Sequence, residues 1–164
     1  MMTDDKINVK YESGQGTLIQ EIGRVKLPAL VENIRSNPNY MTIANESQST
    51  QDWNDIKKSK LIESFILNLP VMPIVLYERS YHTYEVLDGK QRLKAIVDFY
   101  TNQLVLSGLE VKTELNGCTY ATLPFKVKTV LNRYSLSLIT IIPSEDASPE
   151  EITKLIEIAV NRLN

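Results

Sequence analysis

Cysteine and histidine are almost missing: Cys118 and His82 are the only ones in 164 residues. A disulfide framework and a Cys/His zinc site are therefore excluded, and no metal ligand set is expected. Long hydrophobic runs are absent as well, since no stretch approaches the ~20 apolar residues of a membrane span. The opening Met1-Met2-Thr3-Asp4-Asp5 is polar and acidic, unlike a signal peptide. Neither sign of charge dominates, with 18 Lys+Arg against 20 Asp+Glu and a net charge of −2. That balance excludes a histone-like coat for nucleic acid and still allows a local basic patch. No repeat, low-complexity tract or long linker interrupts the chain. With 43% hydrophobic residues, a chain of this length can bury about two thirds of its unfolded surface. Residues 1–164 are thus expected to form a single domain of a cytoplasmic protein.

What is present is a series of short periodic segments. Ile7, Val9 and Tyr11 alternate with polar residues, and Ser13-Gly14-Gln15-Gly16 leads into Thr17–Ile22, which predicts an N-terminal hairpin. Leu27, Leu30, Val31 and Ile34 have helical spacing, stopped by Ser36-Asn37-Pro38. Asn45–Thr50 has no period and reads as a polar loop. Leu61, Ile62, Phe65, Ile66 and Leu69 form one apolar stripe on a helix over Ile56–Leu69, ended by Pro70. Met72–Tyr77 and Tyr84–Leu87 read as strands around a polar turn at Glu78–Thr83. Lys90–Tyr100 is helical through Leu93, Ile96, Val97 and Tyr100. Leu104–Leu106 and Glu110–Leu115 are expected strands, with Asn116-Gly117 a hairpin turn into Cys118–Tyr120. Pro124 opens a helix to Arg133, and Ser135–Ile142 is a strand. Ser148-Pro149-Glu150-Glu151 combines a capping serine, a first-turn proline and a returning glutamate. Ile152, Leu155, Ile156, Ala159, Val160 and Leu163 line that last helix. The whole predicts a mixed α/β (α+β) fold, a small mixed sheet flanked by helices.

The segment suited to chemistry is Tyr84-Glu85-Val86-Leu87-Asp88-Gly89-Lys90-Gln91-Arg92-Leu93. A strand ends at Asp88, glycine turns the chain, and a helix starts at once. First-turn amides lack internal partners and the helix dipole adds positive potential there. Lys90, Arg92 and Lys94 crowd an end where cations are unfavourable to the helix itself, which suggests a bound anion such as phosphate. Equally, Asp88 reads as a simple helix cap with the cations splayed into solvent. Trp53 has two readings, a core residue or a stacking face for a base. His82 is expected to be a solvated turn residue, and Cys118 a packed small one. Lys57, Lys58 and Lys60 read as a solvated face or as DNA phosphate contacts.

The run from Trp53 to Ile142 resembles the N-terminal domain of GmrSD-type restriction endonucleases, within the wider ParB/sulfiredoxin-like group. The resemblance is carried by Lys58-Ser59-Lys60-Leu61-Ile62-Glu63-Ser64, Leu69-Pro70-Val71-Met72-Pro73-Ile74, Leu87-Asp88-Gly89-Lys90-Gln91-Arg92-Leu93, Leu106-Ser107-Gly108-Leu109, Leu115-Asn116-Gly117 and Asn132-Arg133-Tyr134-Ser135-Leu136. It implies a domain that binds a nucleoside triphosphate with Mg²⁺ and couples hydrolysis to defence against phage DNA. It also implies a nuclease domain on the same polypeptide or on a partner protein. Asp88, Gln91 and Arg92 are the catalytic positions so implied. Gly89, Lys90, Gln91, Arg92, Gln48, Trp53, Arg162 and Asn164 would hold the nucleotide.

Three departures from the family pattern bear on turnover. Lys90 stands where the family's Asp-Gly-Gln-Gln-Arg has its first glutamine, and Ser49 replaces the arginine that follows Gln48. Arg162-Leu163-Asn164 opens the family's Phe-x-Arg-Leu-Asn-x-Gly segment with Val160 for phenylalanine, so the family's C-terminal half is expected to lie outside this chain. Gly89–Arg92 holds no cysteine, which excludes sulfiredoxin chemistry. The leading expectation is a nucleotide-binding regulatory domain of a phage-defence restriction system, with NTP hydrolysis either retained or lost. The alternatives are a non-enzymatic DNA-recognition module, reading DNA through Lys57–Lys60 and Lys90–Lys94, and a degenerate interaction domain.

Overall fold

The computed structural model describes residues 1–13, 17–42 and 52–163. Its elements are α1 (Asp4–Ser13), β1 (Leu18–Lys26), α2 (Leu27–Ser36), β2 (Met41–Thr42), α3 (Asp55–Ile66), β3 (Ile74–Ser80), β4 (Thr83–Asp88), α4 (Lys90–Tyr100), α5 (Phe125–Arg133), β5 (Ser135–Pro143) and α6 (Pro149–Leu163). The strands form one mixed sheet in the order β1-β5-β3-β4-β2. β5 is antiparallel to β1 and parallel to β3, while β4 is antiparallel to β3 and parallel to β2. The expected mixed α/β architecture is thus the one observed.

The two central strands explain why the sheet is covered on both sides. Ile74, Val75 and Leu76 are all buried, so β3 needs apolar cover on each face. On one face Ile74, Leu76, Val86 and Leu136 meet Leu61, Ile62 and Phe65 of α3 and Leu93, Ile96 and Phe99 of α4. On the other, Val75, Leu87 and Ile141 lie under Ile156 and Val160 of α6. Ser148 caps α6 as expected, its Oγ accepting the Glu151 amide at 3.2 Å. The α2 and α4 helices occur where the apolar spacing places them.

Three expectations are corrected. Residues 7–11 belong to the helix α1, whose acidic first turn and Lys10 in the last turn suit the helix dipole. The nine-residue partner of β1 is β5, from the far end of the chain, paired from Leu18↔Pro143 to Lys26↔Ser135. A short alternating segment has no strand identity without such a partner.

The α3 helix ends at Ile66, three residues before the predicted stop, because Asn68 turns left-handed at φ +56°. Asparagine tolerates that conformation, and the Leu69 amide closes back on the Ser64 carbonyl at 2.9 Å. The predicted strands around Asn116-Gly117 are instead an irregular loop with a short 3-10 turn at Thr113–Leu115. Its apolar alternation records buried anchors, namely Leu104, Leu106, Leu109 and Leu115. The amides of Glu110, Val111 and Lys112, at 3.4, 3.0 and 2.8 Å, donate to the buried carboxylate of Glu63 rather than to a ladder. The turn itself is where the sequence puts it, with Gly117 at φ +89°. The predicted polar loop at Asn45–Thr50 lies outside the described residues.

Candidate phosphate-binding turn

The turn between β4 and α4 is built on Gly89, which sits at φ +107°, ψ 14°. L-residues other than glycine pay for this left-handed region with a clash at Cβ. Space is also short there: a Cβ on Gly89 would lie 2.5 Å from Ile74 Cδ1 and 3.1 Å from Arg92 Nη2. No side chain caps α4 from this position. Among the described residues, the amides of Lys90, Gln91 and Arg92 meet no acceptor.

The side chains of the motif have diverged in role. Arg92 folds back over the turn, donating through Nη2 to the Pro73 carbonyl at 3.0 Å and to Asp88 Oδ2 at 3.3 Å. This guanidinium is only 15% exposed, and its Nε is buried with no partner. The ion pair therefore faces inward and orders the turn; it does not project into solvent. Gln91 is engaged at both ends of its amide: Oε1 accepts the Trp53 backbone N–H at 3.1 Å, and Nε2 donates to Asp52 Oδ1 at 3.0 Å. Lys94 joins the same Asp52 oxygen at 3.1 Å. Lys90 alone of the three cations has no hydrogen-bond or ion-pair partner among the described residues.

The structure thus brings Asp88, Gly89, Lys90, Gln91, Arg92 and Trp53 together. Trp53 is half-buried against the main core, and Lys57 Nζ lies 4.6 Å from its ring centroid. The packing agrees with the core reading of this tryptophan, and its backbone N–H ties it to Gln91 of the motif. Arg162 is in the last turn of α6, and no described bond ties it to the motif. Gln48, Ser49 and Asn164 lie outside the described residues.

The basic surface expected over Lys57–Lys60 and Lys90–Lys94 is largely neutralised. Lys58 pairs with Asp98 at 2.8 Å, Lys60 with Glu110 at 2.7 Å, and Lys94 with Asp52. His82 occupies an exposed two-residue turn, as expected, with its ring against Tyr81. Among the described residues no group of three or more His, Cys, Asp or Glu could hold a metal ion, and no helix is long and apolar enough to cross a membrane.

Asp52 is the member of this network that the sequence did not disclose. It has no motif of its own, only its place before Trp53. The Gln91 hydrogen bond and then the Lys94 hydrogen bond and charge hold its carboxyl below the ordinary value of 3.8. A depressed folded-state value means that the contacts persist above 3.8 and are lost as pH falls through the lower, folded value. Emission from Trp53, the only tryptophan, should therefore stay constant down to about pH 4 and change only below it. The Asp52→Asn variant should lack that transition. An identical acid transition in both chains would show that Trp53 does not sense Asp52.

The family model described as GmrSD restriction endonuclease, N-terminal domain, matches residues 28–163. Neither the curated proteins nor the solved structures contain a significant match to the chain.

Proposed function

This chain belongs to the family of GmrSD restriction endonuclease N-terminal domains, and on that premise we propose that it is the nucleotide-binding regulatory module of a restriction system directed at phage DNA. The observation that carries this reading is the Gly89 turn, which leaves the first α4 amides without a side-chain cap beside Lys90, a cation with no partner among the described residues. Such a helix start with an adjacent ammonium suits the phosphates of a nucleoside triphosphate. A nuclease domain on the same polypeptide or on a partner protein is the natural recipient of the signal.

The residues present fit the anion better than they fit a dedicated metal cage. Asp88 is committed to Arg92, and Asp52 to Gln91 and Lys94. Mg²⁺ would accordingly arrive on the phosphates and keep most of its waters, as that ion commonly does. Arg92 acts as a positioning residue, since it locks the turn against Pro73 and Asp88. Its Nε is buried and has no partner among the described residues. Binding is favoured over turnover because Lys90, standing where the family has a glutamine, has no amide to orient water, while Gln91 is tethered to Trp53 and Asp52.

Calorimetric titration with ATP, GTP and CTP, with and without Mg²⁺, tests the proposal. One of them should bind, and Lys90→Ala should weaken it about 10- to 100-fold, the worth of a charge-assisted hydrogen bond. Absence of heat with all three, or unaltered affinity in a folded Lys90→Ala chain, rejects it.

A further inference from the structure

A second cationic cleft opens on the same end of the sheet. It has a volume of about 410 Å³ and is lined by Arg24, Asn68–Val71, Arg133, Tyr134, Ser135 and Ser137. Strand register fixes its place. Arg24↔Ser137 sets the end of β1 beside the start of β5, Ile74↔Leu138 adds the start of β3, and Val75↔Asp88 adds the end of β4. At ~4.8 Å per strand, β1 and β4 are about 14 Å apart across that end.

The lining is one-sided in charge. It holds two guanidiniums and two serines, with no carboxylate among them. Neither Arg24 nor Arg133 has a hydrogen-bond or ion-pair partner among the described residues, whereas most lysines of the α3–α4 face do. Tyr134 forms a rigid wall, its hydroxyl donating to the Leu69 carbonyl at 2.8 Å and its ring 4.6 Å from that of Phe65. Burial pushes this hydroxyl up, opposed first by a backbone hydrogen bond and then by the Arg24 charge. The rest of the wall comes from the Asn68 reversal and from Leu69-Pro70-Val71.

We infer that this cleft grips phosphodiester groups of a nucleic-acid strand, held between the Arg24 and Arg133 guanidiniums with the Ser135 and Ser137 hydroxyls beside them. Planar guanidiniums match phosphate oxygens in pairs, which favours arginine at such a site. The polymer is preferred to a free phosphate because both arginines are exposed and the cleft does not enclose a small ion. A strand can also continue along the rim toward Lys90: the 14 Å span equals about four steps of 3.4 Å. The contacts read no base, so binding is independent of sequence. The inference stands whether or not α4 takes a nucleotide.

The test uses the whole chain, a labelled 20-base-pair duplex and its single strand, with anisotropy followed over a salt series. Arg24→Ala/Arg133→Ala should bind at least about tenfold more weakly at low salt. The slope of log affinity on log salt should fall by about 1.4–1.8, two contacts at roughly 0.7–0.9 each. Arg24→Lys/Arg133→Lys should recover most of that slope, and ATP binding should be unaltered in all variants. Should the double alanine variant fail to fold, Arg24→Gln on the exposed edge strand reads half the slope change. A folded variant with wild-type affinity and slope overturns the inference, as does a wild-type chain that takes inorganic phosphate here and no oligonucleotide.

Discussion

Replacing Gly89 by alanine should lower the unfolding free energy by about 2–5 kcal/mol and abolish the nucleotide binding proposed for the α4 helix start. Two costs add. The left-handed backbone at φ +107° penalises any L side chain by about 1–2 kcal/mol. The new methyl would also approach Ile74 Cδ1 to 2.5 Å, and crowding of that kind in a packed site costs about 1–3 kcal/mol. Ile74 is fully buried at the start of a central strand and has little room to retreat. Gly117 provides the control, for it too is left-handed at φ +89° but has nothing within 4 Å of a Cβ. Gly117→Ala should therefore show the backbone cost alone. Urea unfolding of the two variants separates the terms. Equal midpoints for Gly89→Ala and Gly117→Ala would remove the steric part of this account.

Loss of the Glu63 carboxylate should destabilise the chain by about 2–4 kcal/mol, through the loop after α4 rather than through the Gly89 turn. This glutamate is 6% exposed, and its two oxygens accept three consecutive amides from residues 110–112. Hydrogen bonds to a charged acceptor are worth about 1.5–3 kcal/mol each. Water partly replaces them here, since Glu110 and Val111 are exposed on the loop surface, and the sum is correspondingly reduced. Glu63→Gln keeps the oxygen needed by Val111 and Lys112 while placing an amide group toward Glu110. It should fall between wild type and Glu63→Ala in denaturant midpoint. Amide exchange adds a local readout: the Val111 and Lys112 protons should lose protection in the alanine variant before the α4 amides do. Unchanged protection in Glu63→Ala would mean that the loop is held by its leucines alone.

Local features of the molecule were legible in the sequence, and features assembled from distant segments were not. The Gly89 turn, the Ser148 cap and the α4 stripe each lie within about ten residues, where spacing and propensity act directly. Glu63 left a weaker trace. It follows Ser59 by four residues, on the same helical face, and both polar groups are buried beneath the loop they hold. Asp52 left none, and the cleft's Leu69-Pro70-Val71 and Arg133-Tyr134-Ser135 stood out only as separate blocks with nothing to join them to Arg24, because the partners are 39 and more residues away. The N-terminal alternation misled for the complementary reason, as its apparent strand had no edge to join.

The position of β5 has a consequence for how the molecule comes to be made. This strand follows every other strand in the chain, yet it lies between β1 and β3 and supplies the whole ladder of β1. While the ribosome is still extending the polypeptide toward residue 135, only β2, β3 and β4 can assemble, and residues 18–26 wait as an unsatisfied ribbon. Closure then requires insertion of a late segment between two early ones, a step dominated by long loop entropy and therefore slow. A stalled or prematurely released chain would display that unpaired strand edge, which makes β1 a point at which newly synthesised copies are exposed to edge-to-edge pairing or to capture by a chaperone.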